Sequence, residues 1–165
     1  MPPDNQQAEA GPANTAGAEL HYRALERLYA SAPINGKFAS RLVIPAEGRS
    51  QLTFTIDESV FHAAGAAHGT VYFKMLDDAA FYAANTLATD RFLLTTSFNL
   101  HFTKPVRVGE VIAEGRWVSG RRRVFVAESR LIDAEGDEIG RGTGTFMRSR
   151  IALSSLEGYT SGDGD

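Results

Sequence analysis

The chain has 165 residues, no cysteine and a formal net charge of -3. Its length and its hydrophobic content of 43% fit one globular domain with a substantial core. Without cysteine, disulfides, a thiolate nucleophile and a cysteine-ligated zinc are excluded. The negative net charge argues against nucleic acid as a partner.

Both ends of the chain predict disordered tails around a single domain at 19–150. Residues 1–18 are rich in Ala, Gly, Pro, Asn and Gln, and residues 151–165 end in Ser, Gly and Asp. The segments 1–19 and 157–165 hold six of the 20 acids and no base, so the rest carries 17 bases against 14 acids. The folded part is therefore expected to be mildly basic and compatible with an anionic ligand.

The sequence also predicts where the protein resides. Residues 1–18 contain no basic start followed by an apolar stretch, which a secretory signal would need. No segment reaches the roughly 18 apolar residues of a membrane span. A cytoplasmic protein without membrane contact is expected.

The first half of the chain predicts two helices and two strands. A short amphipathic helix is expected at 19–30, with Pro33 stopping it. Strands are expected at 41–44 and 51–56, since apolar and polar residues alternate in the second of them. The segment 70–88 predicts a long helix that is apolar around most of its circumference, and such a helix is buried.

The second half predicts four strands, at 92–103, 111–119, 123–133 and 138–147, separated by glycine-containing turns. One buried helix followed by a run of antiparallel strands predicts an α+β fold, in which an antiparallel sheet wraps around the central helix.

One motif contains the candidate catalytic residues. His68-Gly69 opens the long helix, and Asp77 follows nine positions after His68. Together with HAAGAAHGT at 62–70, TTSFNLHFTKPVRVGE at 95–110 and GRGTGTFM at 140–147, it resembles the signature of hotdog-fold acyl-CoA thioesterases, in particular the PaaI-like group of the phenylacetic acid pathway. The resemblance covers about residues 40–148.

The resemblance implies a hotdog fold and the hydrolysis of acyl-CoA thioesters to free acid and coenzyme A. It places the Gly69 N–H, at the positive end of the helix, as the donor to the thioester oxygen. His68 would orient the site or the thioester. Asp77 would activate water or attack the carbonyl carbon, and apolar neighbours, Phe73 and Phe81, would raise its pKa.

Two further site residues follow from the resemblance. Thr95 matches a position at which some members present a hydroxyl to the nucleophilic water. His62 stands where the family often has Asn, so a surface position is an alternative for it. Asp78 is the rival of Asp77, but Lys74 lies four positions before it, which favours a structural ion pair.

Helix geometry predicts an obligate dimer. Nine helical residues turn the chain by roughly 900°, so His68 and Asp77 lie on opposite sides of the helix, about 13 Å apart along its axis. One chain can hardly bring both to one carbonyl, whereas a second chain can. This agrees with the family's composite sites, which form across a homodimer; further pairing to a homotetramer stays open.

The basic turn at Arg121, Arg122 and Arg123 is a candidate clamp for the phosphates of coenzyme A, with Lys104 and Arg107 as further candidates. A solvated turn is the alternative. Coenzyme A enters as part of the substrate, so no cofactor is expected. With four His and no Cys, a metal site is not expected either.

Two alternative functions remain. A non-catalytic acyl-CoA binder would keep the fold without turnover. An enoyl-thioester hydratase would carry Asp and His about five residues apart in a loop before the helix, and that pattern is missing here. The acyl group stays open, because the aromatic residues could line an aryl pocket, a fatty pocket or only the core.

Overall fold

The computed structural model describes residues 12–160, which form one antiparallel sheet with a long helix against it. The six strands are β1 (Arg41–Ala46), β2 (Arg49–Ile56), β3 (Arg91–Phe102), β4 (Gly109–Ser119), β5 (Val124–Ile132) and β6 (Glu138–Ala152). Their order across the sheet is β1-β2-β4-β5-β6-β3, which leaves β1 and β3 at the two edges. The predicted α+β architecture is confirmed.

The long helix, α3 (Gly69–Asn85), packs unusually close to the middle of the sheet. A Cβ atom on Gly115 of β4 would lie 2.0 Å from the backbone oxygen of Ala79, so only glycine permits this approach. Ser50 and Ser129 donate hydrogen bonds to the backbone oxygens of Ala79 and Leu76, at 2.5 and 2.7 Å. These contacts fix the height and rotation of α3, and therefore the place of Asp77.

The N-terminal helices extend further than the sequence predicts. Helix α1 (Pro12–Ser31) begins at Pro12 rather than at 19, and a second helix, α2 (Pro33–Phe38), follows it. Pro33 does separate two helices, but it also starts the second one, because a proline in the first turn loses no hydrogen bond. Residues 1–11 of the predicted tail lie outside the described residues.

Up to residue 160, the C-terminal segment differs from the tail predicted at 151–165; residues 161–165 lie outside the described residues. Strand β6 continues to Ala152, and helix α4 (Glu157–Thr160) packs against α1. Leu153 is only 1% exposed, and Tyr159 hydrogen-bonds the ring of His21 at 2.8 Å. The side chains of Leu153, Leu156 and Tyr159 therefore anchor the segment despite its polar composition.

The charge of the folded part is closer to neutral than predicted. Glu19 and Glu157 belong to α1 and α4, so residues 12–160 carry 17 bases and 16 acids. Within the same residues, no helix combines the length and hydrophobicity that crossing a bilayer requires.

Candidate active site

Asp77 lies in the middle of α3, on the side that faces the start of β3. The hydroxyl of Thr95 on β3 donates to the Asp77 carboxylate, with Oγ1 at 3.0 Å from Oδ1 and 3.4 Å from Oδ2. The structure therefore brings together two of the predicted site residues, from elements that are adjacent in space and separated by a turn in sequence.

Burial raises the pKa of Asp77 to about 6, the direction that the sequence predicts. The Thr95 hydrogen bond and the Lys74 ammonium lower this pKa, and the neighbouring Asp78 raises it. At neutral pH the carboxylate is mostly ionised, and it is more basic than an exposed aspartate. A carboxylate with such a pKa suits general-base chemistry near neutral pH.

A cavity of about 280 Å³ lies beside Asp77 and Thr95. Its apolar wall comes from α1, α2, α3 and β3 and includes Tyr29, Ala32, Ile34, Phe81, Phe92 and Leu94. Phe81 thus lies in this wall, as expected, whereas Phe73 is 43% exposed and contacts the ring of Phe98. The contribution of α2 was missed because no periodic pattern marks a helix of this length.

Asp78, the rival carboxylate, forms the predicted ion pair with Lys74. The Lys74 ammonium also donates to Oδ1 of Asn35 on α2, at 2.6 Å, and contacts the hydroxyl of Tyr29 at 3.3 Å. This network ties α3 to α1 and α2. It gives Asp78 a structural role in holding the wall of the cavity.

Gly69 begins α3, and its N–H has no hydrogen-bond partner among residues 12–160. His68 is the N-cap residue, and its Nδ1 accepts the N–H of Thr70 at 3.1 Å, which assigns the ring proton to Nε2. A Cβ on Gly69 would lie 3.3 Å from the ring of Phe102, so glycine keeps the helix start open beside this ring.

A second cavity, of about 380 Å³, lies at the start of α3 and is lined by Gly69, Phe102 and His62, among others. The His62 side chain is exposed, and its Nδ1 accepts the N–H of Ala64 at 3.0 Å. His62 and Gly69 therefore share one cavity, while Asp77 and Thr95 share the other.

Eight helical positions separate Gly69 from Asp77, about 12 Å along the axis. Between the two cavities runs the edge strand β3, which exposes Leu94 and Phe102 at 48% and 58%. In one chain, no single carbonyl group can contact both the Gly69 N–H and the Asp77 carboxylate.

The structure does not bring the five predicted basic residues together. Lys104 is bound by Asp133 and Asp137 at 2.7 and 2.8 Å. Arg121 pairs with Glu47 and lies over the ring of Trp117.

Arg107 lies elsewhere, in the loop before β4, beside Gly65. Only Arg122 and Arg123 line a common cleft, together with three arginines that the sequence reasoning missed. Among the described residues, no three His, Asp or Glu side chains form a group that could hold a metal ion.

The model of the thioesterase superfamily matches residues 64–139. An esterase-named protein of Saccharolobus solfataricus is 29% identical over 111 residues, which cover 67% of this chain and 74% of that protein. The part that the superfamily model matches contains the start of α3, Asp77 and Thr95.

Solved structures share the fold at low sequence identity. The PaaI protein of the E. coli phenylacetic acid degradation operon superposes with a TM-score of 0.75 at 15% identity, covering 82% of this chain and 97% of its own. A mutant PaaI from Thermus thermophilus superposes with a TM-score of 0.65 at 22% identity, covering 72% of this chain and 100% of its own. A thioesterase from Haemophilus influenzae superposes with a TM-score of 0.68 at 18% identity, covering 76% of this chain and 88% of its own. The chain therefore has the hotdog fold of these structures, resembles the PaaI-like proteins among them, and matches the thioesterase superfamily over residues 64–139.

Proposed function

We propose that this protein hydrolyses acyl-CoA thioesters to the free acid and coenzyme A, the acyl-CoA form of the reaction for which the matching superfamily is named. One observation carries the proposal. The carboxylate of Asp77 has a pKa near 6, is held by a hydroxyl group and borders an apolar cavity. This combination suits activation of a water molecule beside a bound acyl group.

The proposed mechanism uses two chains. Asp77 of one chain removes a proton from water, which attacks the thioester carbonyl carbon. The N–H of Gly69 from the other chain stabilises the oxyanion, and the positive end of α3 adds to that stabilisation. The tetrahedral intermediate then expels the coenzyme A thiolate, and the proton that Asp77 took from water passes to this thiolate, which returns Asp77 to its ionised form. Direct attack by the Asp77 carboxylate, through an anhydride, would use the same groups.

The cavity beside Asp77 is proposed as the acyl pocket. Its volume of about 280 Å³ and its aromatic side chains, such as Phe81 and Phe92, fit a compact apolar or aryl group. The networks of Asn35 and Lys74 support the wall that α2 contributes. Dimer formation through the exposed edge strand β3 would bring the Gly69 cavity of the partner towards this pocket.

The proposal is tested by measuring the release of free thiol from a panel of aryl- and alkyl-CoA esters of short and long chain. We expect steady-state turnover, with the highest kcat/KM for an ester whose acyl group fits the pocket. Tight binding without turnover for every ester would favour the non-catalytic acyl-CoA binder instead. Absence of both binding and turnover would contradict acyl-CoA as the substrate.

Thr95 is expected to act by positioning Asp77. Thr95→Val removes the hydrogen bond that lowers the Asp77 pKa, so the acidic limb of the pH dependence of kcat/KM should move to higher pH, and kcat should fall. Thr95→Ser keeps a hydroxyl, so its acidic limb should lie at the wild-type pH and its kcat should be close to that of the wild type. An unchanged acidic limb in Thr95→Val would show that this contact does not set the reactive pKa.

A further inference from the structure

Five arginines surround one cleft of about 390 Å³ at the end of the sheet where β3 begins and β6 ends. We name this set the arginine cluster: Arg91, Arg122, Arg123, Arg148 and Arg150. They come from three separate segments, and the proposed chemistry does not use them.

The fold holds the cluster in place through its own backbone. Strands β3 and β6 run antiparallel, so Arg91 lies near the residues that end β6. Nη1 of Arg91 donates to the backbone oxygen of Arg150 at 2.8 Å. The N–H of Arg148 donates to the backbone oxygen of Arg123 at 3.0 Å, which joins the β4–β5 turn to the cleft. These contacts hold part of the set in place before any ligand arrives.

The cluster carries an excess of positive charge. Asp90 pairs with Arg148 and lies 3.9 Å from Arg91. The side chains of Arg122, Arg123 and Arg150 form no ion pair with the described residues. Among the described residues, Asp90 is thus the one carboxylate that pairs with any of these five guanidinium groups.

Some arginines elsewhere on the sheet are paired with glutamates. Arg116 pairs with Glu128, and Arg130 pairs with Glu114 at 2.8 Å. The described residues as a whole are nearly neutral, so the excess at the cleft is local. Because like charges repel, a group of this kind favours an anionic ligand with several negative oxygens.

The position of the cluster relates it to the candidate active site. Arg91 precedes Thr95 by four residues on β3, about 13 Å along the strand. Leu93, between them, lies opposite Arg148 in the β3–β6 ladder and also lines the cavity beside Asp77. A thioester bound at Asp77, with its carrier extended along the start of β3, would bring the far end of the carrier to the arginines.

We infer that the arginine cluster binds the phosphate groups at the nucleotide end of coenzyme A, an inference that rests on the proposed function. The planar guanidinium groups fit phosphate oxygens two at a time. Of the clamp predicted from the sequence, this assignment retains Arg122 and Arg123, and it adds Arg91, Arg148 and Arg150. It excludes Arg121 and Lys104, which are paired with acids, and Arg107, which lies beside Gly65.

Titration calorimetry of free coenzyme A with the full chain tests the inference, since binding requires no hydrolysis. The double variant Arg122→Gln/Arg123→Gln should weaken coenzyme A by about tenfold or more, the loss expected when charged hydrogen bonds to phosphate are removed. The wild-type affinity should fall with salt, and less so in the double variant. Arg121→Gln removes a charge from the same turn and should leave the affinity within about twofold.

Ligands of decreasing size locate the contact. Dephospho-coenzyme A should bind more weakly than coenzyme A to the wild type, and pantetheine should bind wild type and double variant equally. With substrates, the double variant should raise KM for an acyl-CoA ester and leave kcat/KM for the matching acyl-N-acetylcysteamine ester unchanged.

The outcomes separate this inference from the proposed function. Equal coenzyme A affinity in wild type and double variant, or an equal loss in Arg121→Gln, would overturn the inference. Salt-dependent binding of an acidic acyl carrier protein in preference to coenzyme A would overturn it too. If coenzyme A binding depends on the cluster but no thioester is cleaved, the binding site stands and the proposed hydrolysis fails.

Discussion

Asp77→Asn is expected to lower kcat/KM for thioester hydrolysis by about a thousandfold, within the range that a general base contributes. The amide keeps the size of the side chain and can still contact the Thr95 hydroxyl, but it cannot remove a proton from water. Release of free thiol at saturating and limiting substrate measures the effect. The residual rate should depend little on pH.

The wild-type pH profile carries a second expectation. The pKa of Asp77 is about 6, and the ionised form is the base. The value of kcat/KM for the wild type should therefore be constant above this pH and fall tenfold per unit well below it. This limb should disappear in Asp77→Asn.

Stability distinguishes a catalytic Asp77 from a structural one. Because burial raises its pKa, the folded chain binds the proton more tightly than the unfolded chain, so ionised Asp77 opposes folding. The opposition is complete above about pH 6 and vanishes below the ordinary value of 3.8. Asp77→Asn should thus melt at the wild-type temperature or above it at pH 8, with the difference shrinking towards pH 4.

Asp78→Asn is the matched control on the next residue. Burial raises the pKa of Asp78 as well, but the substitution leaves the mostly buried Lys74 ammonium without its carboxylate. We therefore expect a net loss of about 2 kcal/mol in the free energy of unfolding. Denaturant unfolding at pH 7 measures it. Hydrolysis abolished in Asp78→Asn and retained in Asp77→Asn would reverse the assignment of the base.

A mixed dimer of two inactive variants is expected to recover activity. Asp77→Asn lacks the base, and Gly69→Val places a branched side chain over the N–H that would bind the oxyanion, against the ring of Phe102. In a symmetric dimer with composite sites, a heterodimer of the two variants holds one intact site and one with both changes. It should therefore show about half of the wild-type activity per dimer, because one of its two sites is intact.

The measurement needs chains with two different tags, co-expressed and purified through both. Each variant alone, carried through the same procedure, is the control and should stay inactive. If each site were formed within a single chain, the heterodimer would contain two broken sites and no activity would return. A monomer in light scattering would also contradict the composite site.

Part of the candidate site could be predicted because it rests on local patterns. His68, Gly69 and Asp77 lie in one segment, and the apolar circumference of α3 marks that segment as buried. Burial then sets the direction of the Asp77 pKa, whatever the details of packing. Thr95 followed from the resemblance, and the structure places its hydroxyl on the carboxylate.

The remaining parts depend on contacts between segments that are distant in sequence. Helix α2 reaches the pocket through Asn35 and Lys74, and α4 packs on α1 through Tyr159 and His21. Polar composition at both ends of the chain predicted tails, since the few apolar side chains that anchor these segments form no periodic pattern. Their energy comes from burial against partners that only the fold supplies.

The sequence by itself determined the class of fold, the helix that carries the carboxylate and the opposite placement of His68 and Asp77, because periodicity and helical rise are local properties. Only the tertiary structure decided which arginines lie together. Arg91 and Arg148 meet because β3 and β6 are adjacent and antiparallel, whereas Arg121, next to Arg122 in sequence, turns towards Glu47. Strand order and turn geometry, rather than spacing along the chain, bring these charges to one cleft.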